Sequence, residues 1–130
     1  IMRADDDELR AVGLSRQKVR YARALAEARI NFKSLRTKST IEVVEKLTQV
    51  PGIGVWTAEI YAMFSLGRAD VFAAGDLALQ ESGRLLFELN ERPTEKEIRR
   101  MAENWSPWRA VAARLLWAYY GYIKKREGVR

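Results

Sequence analysis

The stretch LTQVPGIGVWTAEIYAMFSLGRADVFAAGDLAL, Leu47–Leu79, decides how this chain is read. A tight Pro-Gly-x-Gly turn, Pro51–Gly54, separates two segments of helical period, and a lone carboxylate, Asp76, follows Trp56 by twenty residues. Gly52 and Gly54 can adopt positive φ and leave the turn bare of side chains. Pro51 stiffens the entry, and Val50 and Ile53 are expected to anchor the turn in the core. A glycine turn that opens a helix presents free backbone N–H groups, which suit an anion such as a DNA phosphate. An ordinary helical turn with two convenient glycines would carry the same letters, so the turn alone leaves both readings open.

Working outward, helical period recurs and no strand signal interrupts it. Asp5–Val12 reads as a short helix with acids in its first turn, ended by Gly13. Ser15 caps a second helix running to about Phe32, with the apolar stripe Val19, Ala22, Leu25 and Ala26. Ser39 or Thr40 opens a third, with Ile41, Val44 and Leu47 at spacings of three. A fourth follows the glycine turn, from about Val55 to Ser65, and Asp70–Gly75 reads as a loop. Asp76 is placed as the N-cap of a fifth, about Leu77–Glu88. Thr94 and Glu97 make a capping box for a sixth, to about Asn104, and Pro107 opens the last, reaching about Lys125. Seven helices with short links predict one all-α domain over residues 1–130, with no internal repeat. Trp105 and Trp108 are expected in its core. Lys124, Lys125 and Arg126 read first as a solvated helix end and second as a phosphate contact.

Composition narrows the chemistry. The chain has 130 residues and a formal charge of +6, a balance that favours a polyanionic partner. No apolar run reaches the roughly 18–20 residues needed to cross a bilayer, and no signal peptide pattern is present, so no membrane partner is expected. Cysteine and histidine are both absent. That excludes disulfides, the usual zinc sites, Cys-ligated iron–sulfur clusters and the Ser–His and Cys–His nucleophile systems. Carboxylates, Lys, Tyr, Ser/Thr and backbone groups remain. On pattern alone Asp76 is more readily an N-cap than a catalytic group, and tryptophans at helical spacing are more readily core than pocket.

Helix, Val-Pro-Gly-Ile-Gly, helix is similar to a helix-hairpin-helix DNA-binding motif. PGIGVWTAEIYAM followed by LGRADVFAAGDLALQ resembles the helix-hairpin-helix-Gly/Pro-Asp superfamily of DNA glycosylases, and within it the 3-methyladenine DNA glycosylase II family. The resemblance runs from Leu9–Leu14 through Trp105–Arg109 to Trp117. It implies the helix-hairpin-helix glycosylase fold, with the hairpin at about 40–66 and the catalytic loop at about 67–77.

The resemblance also implies a monofunctional glycosylase of base excision repair that releases alkylated purines of the 3-methyladenine type from double-stranded DNA by base flipping. Asp76 is then the carboxylate that stabilises the oxocarbenium-like sugar and assists attacking water. Trp56, Trp117, Ile60 and Leu77 line the base pocket. Val50, Pro51, Gly52, Ile53, Gly54 and Thr57 form the phosphate-binding hairpin. Bifunctional relatives have Lys where this chain has Trp56, so no strand cleavage is expected. No cofactor is needed for the chemistry; a structural Na+ or K+ at the hairpin, held by the main-chain carbonyls of Thr48, Val50 and Ile53, is implied.

The sequence departs from the family at Ala73, usually Pro, and at Ile60 and Leu77, where relatives can carry aromatics. Family members also carry helices and a β-rich region before the part seen here. The chain is therefore expected to be a C-terminal portion, with the duplex-wedging residue upstream of Ile1. A monomer in the cytoplasm, at the nucleoid if bacterial, is the matching expectation. The alternative is a helix-hairpin-helix module that grips DNA without chemistry, and a basic helical protein that binds other proteins is a weaker third.

Overall fold

The computed structural model describes residues 1–126 and 128, and among these it contains eight helices and no strand. The chain divides into two compact units, Ile1–Gly54 and Val55–Arg130.

The first unit holds α1 (Asp6–Ala11), α2 (Arg16–Glu27), α3 (Phe32–Leu35) and α4 (Thr40–Thr48). Each begins where a short polar side chain satisfies an orphan N–H of the first turn. Asp5 and Glu8 close a capping box, Ser15 caps α2, Asn31 caps α3, and Ser39 with Glu42 closes a second box. The core of this unit is Leu9, Val19, Leu35, Val43, Leu47 and Val50.

Three expectations for this unit are corrected. The second helix stops at Glu27, not Phe32, because Arg29 turns the chain through a left-handed conformation, φ 45°, and Asn31 then starts a separate turn that buries Leu35 completely. Seven helices therefore become eight. In α4 the buried residues are Val43 and Leu47, whereas Ile41 is 71% exposed. In α2, Leu25 is exposed, while Arg23 folds back to donate to the carbonyls of Ile1 and Ala4 and to Asp6.

The second unit holds α5 (Val55–Phe64), α6 (Leu77–Leu86), α7 (Glu95–Glu103) and α8 (Arg109–Arg126). Thr94 and Glu97 form the expected capping box. Met63, Leu79, Ile98 and Leu116, from four different helices, close one apolar core around Phe72. Trp105 packs on that core, 5.4 Å from the Phe72 ring. Trp108 does not: it is 61% exposed. The α8 face that packs inward is Ala110, Ala113 and Leu116, and Trp108 stands at the helix entrance, its carbonyl accepting from Ala112. The helix accordingly opens two residues after Pro107. Among the described residues no helix is long and apolar enough to cross a membrane.

Candidate active site

The segment between α5 and α6 is a loop, as expected, yet Val71, Phe72, Ala73 and Ala74 are all buried. A buried loop must satisfy its backbone polar groups. The Ala110 N–H donates to the Ala69 carbonyl at 2.8 Å, and the Asp76 N–H donates to Ala73 at 2.9 Å. The buried Gln80 side-chain amide donates to the Ala74 carbonyl at 2.9 Å. Asp70 is gripped by the Arg109 fork, at 2.6 and 3.0 Å, and by the Ser106 hydroxyl at 2.9 Å. The Arg109 guanidinium holds the Asp70 carboxyl below its ordinary range. The loop is thus pinned at both ends, and its last residue is presented in a defined place.

That residue is Asp76, and its carboxylate collects four N–H donors. Oδ1 accepts from the backbone of Ala78 at 2.9 Å and of Leu79 at 3.1 Å, which is the N-cap of α6. Oδ1 also accepts from Trp117 Nε1 at 3.2 Å, and Oδ2 accepts from Trp56 Nε1 at 3.1 Å. The N-cap of α6 and the predicted site aspartate are therefore the same carboxylate.

Three of the predicted site residues, Trp56, Asp76 and Trp117, thus meet. Ile60 lies one turn beyond Trp56 on α5, half-buried against the core. Leu77, beside Asp76, is 62% exposed. Trp56 is 46% exposed, so the arrangement is an open shelf.

Phe64 is an addition that the motifs do not name. It stands two turns beyond Trp56 on α5, with its ring 5.8 Å from Trp117 and the Arg114 guanidinium 4.9 Å above its face. The 56, 60, 64 spacing is the signal that could have found it. Electron-rich faces of this kind attract cations by about 0.5–2 kcal/mol per contact.

The roll of α5 is set by Glu59, whose buried carboxylate accepts from Arg99 of α7 at 2.6 and 3.3 Å; Arg99 also reaches Glu95 at 3.0 Å. Burial pushes the Glu59 carboxyl up, against the pull of Arg99. Both of its oxygens are engaged in holding helices together, so Glu59 is structural.

The predicted hairpin closes the first unit. Val50 is buried, Ile53 is half-buried, and the Ile53 N–H donates to the Val50 carbonyl at 3.0 Å. Gly52 sits at φ +91°, against the Tyr21 ring, where a Cβ would overlap the ring carbons. Among the described residues the N–H groups of Gly52 and Gly54 donate to no backbone carbonyl, and Pro51, Gly52 and Gly54 are exposed. Thr57, in the first turn of α5, is exposed as well. The Val50 carbonyl keeps one lone pair beside its bond to Ile53. The main-chain carbonyls of Thr48 and Ile53 are neutral oxygens of the same kind, the donor chemistry that hard cations take.

Known proteins match this chain closely. The family described as HhH-GPD superfamily base excision DNA repair protein matches residues 1–107. The alkylbase DNA glycosidase-like protein mag2 of Schizosaccharomyces pombe is 33% identical over 90% of this chain and 57% of its own length. DNA-3-methyladenine glycosylase 1 of the same organism is 36% identical over 87% of this chain and 52% of its own. The chain thus spans about half the length of these curated relatives. Among solved structures, S. pombe Mag1, in complex with abasic DNA, superposes with a TM-score of 0.79 at 36% identity, covering 88% of this chain and 58% of that one. A DNA-3-methyladenine glycosidase from Bacillus halodurans gives 0.82 at 36% identity, covering 95% and 59%.

Proposed function

This chain belongs to the HhH-GPD superfamily of base excision DNA repair proteins, and from that membership we propose that its parent protein is a monofunctional DNA glycosylase releasing alkylated purines of the 3-methyladenine type. The observation that carries the reading is the Asp76 carboxylate, capped on α6 and flanked by the two indoles of Trp56 and Trp117.

An N3-alkylated adenine in DNA is a cation and a good leaving group. As the C1′–N bond breaks, its electron pair goes to the base, which departs neutral, and positive charge appears on the deoxyribose. The negative charge of Asp76 stabilises that sugar. Water adds its oxygen to C1′, and its proton passes to the carboxylate or to solvent, leaving an abasic site. The tryptophan faces favour the cationic base before departure. No histidine is required, because the leaving group needs no strong acid.

Trp56 offers no amine for a Schiff base, so strand cleavage is not expected. The free N–H groups of Gly52 and Gly54 are suited to a backbone phosphate of double-stranded DNA, and the carbonyls of Thr48, Val50 and Ile53 would hold a Na+ or K+, which would supply positive charge favourable to that phosphate. The matched family region, residues 1–107, runs through the first unit into the second, in keeping with one catalytic domain, and a monomer is proposed with it.

The test is release of 3-methyladenine from methylated duplex by the full-length protein and by Asp76→Asn, with sodium borohydride trapping as a second readout. Base release by the native protein, its loss in the variant, and no trapped covalent complex are expected. Salt-sensitive DNA binding without any base release would establish a binding module instead.

A further inference from the structure

We propose that Trp56 and Trp117 are positioning residues whose indole N–H groups lock the Asp76 carboxylate, leaving Oδ2 as the oxygen that works on the sugar. This rests on Asp76 being the catalytic carboxylate.

The four donors are shared unequally. Oδ1 receives three, from Ala78, Leu79 and Trp117, while Oδ2 receives one, from Trp56. A carboxylate oxygen has about two lone-pair sites in its plane. Oδ1 is therefore saturated, and Oδ2 keeps acceptor capacity for a sugar cation or a water proton.

Without these bonds the terminal torsion of an aspartate is broad. The backbone cap fastens one oxygen only. The Trp56 N–H fastens the other, so the two oxygens cannot exchange places. An indole N–H donates and never accepts; it steadies the anion without competing for the proton.

The clamp is held from behind. Phe64 lies 5.8 Å from the Trp117 ring and carries the Arg114 guanidinium 4.9 Å over its face. Trp56 is carried on α5, whose roll is set by the buried Glu59–Arg99 pair three residues further on. Orientation of the indoles by their N–H edges is a different role from offering a face to a base, and the two can be separated by chemistry.

The experiment uses the full-length protein, single-turnover release of 3-methyladenine from methylated duplex, and the dissociation constant for an abasic-site duplex. Trp56→Phe and Trp117→Phe remove the N–H. A benzothiophene in place of each indole removes only the N–H and keeps the two-ring face. Loss of one charge-assisted bond is expected to slow release about tenfold in each case, with the benzothiophene protein matching the Phe variant. Abasic-duplex affinity is expected to stay within about twofold, which also reports that the variant is folded. Benzothiophene proteins that release base at the native rate would overturn the clamp, as would a slowing that disappears at saturating enzyme. Asp76→Asn separates the two failures. If it retains base release, the catalytic reading itself is wrong; if it is inactive while the benzothiophene proteins keep the native rate, only the clamp is.

Discussion

Gly52→Ala tests the hairpin by its smallest perturbation. Two independent penalties meet at this residue. Its φ of +91° is a conformation that an L side chain adopts only with strain, about 1–2 kcal/mol. The added Cβ would also overlap Cγ and Cδ1 of Tyr21, in a ring whose hydroxyl is tied to Gln17 at 3.0 Å. The ring cannot swing away freely, and overpacking of this kind costs about 1–3 kcal/mol. Together they predict a loss near 3 kcal/mol, or a fall of about 1.5 M in the urea midpoint of a small domain.

The assay is urea unfolding followed by far-ultraviolet circular dichroism, run as a double-mutant cycle with Tyr21→Ala. Removing the ring first abolishes the clash and leaves the backbone strain. The glycine substitution should then cost only about 1–2 kcal/mol. Duplex affinity should fall in both backgrounds, because the strained turn no longer presents its N–H groups in place. A Gly52→Ala midpoint within about 0.3 M of the native protein would refute the reasoning. An unchanged cost in the Tyr21→Ala background would refute the steric half alone.

Further outcomes follow from the same geometry. The Asp70 carboxyl is held down by Arg109, so its contribution to stability is complete above the ordinary carboxylate pKa and is lost as pH falls through the lower folded value. Asp70→Asn should flatten the acid limb of melting temperature against pH below about pH 4, and an unaltered limb would count against the loop anchor. Gln80→Leu strands the buried Ala74 carbonyl and should cost about 1–3 kcal/mol in thermal unfolding, with base release reduced through the loosened loop. Arg16 and Arg20 of α2 share a cleft with Pro51 of the hairpin. Arg16→Gln and Arg20→Gln should each lower the slope of log affinity against log salt on undamaged duplex by about one for each phosphate that the arginine neutralises.

The helices were legible because their signals are local. Ser15, Asp76 and Thr94 cap the elements they were expected to cap, and of Ser39 and Thr40 it is Ser39 that caps α4, since a short side chain and an N–H two or three residues away meet in any fold. The stripes were less legible. Ile41, Val43 and Val44 are interchangeable by spacing, and only the packing of α4 made Val43 the buried one. Trp108 misled for a related reason: its size suggests a core residue, but its place at the helix entrance leaves it in solvent. The α2 boundary failed because a left-handed arginine has no signature in its own side chain.

Asp76, Trp56 and Trp117 were each named by the family resemblance, whereas on pattern alone Asp76 read as a cap and the tryptophans as core. That they touch was not, because residues twenty and forty-one positions apart are joined only when α5, α6 and α8 pack around one core. The same holds for Asp70 with Arg109 and for Phe64 with Arg114. One-dimensional order carries helix starts, turn glycines, charge and the roster of reactive groups, since these depend on neighbours along the backbone. How the donors are shared between the two oxygens of the aspartate, and which ring adjoins which, came only from packing, where distances between side chains are set by the whole core at once.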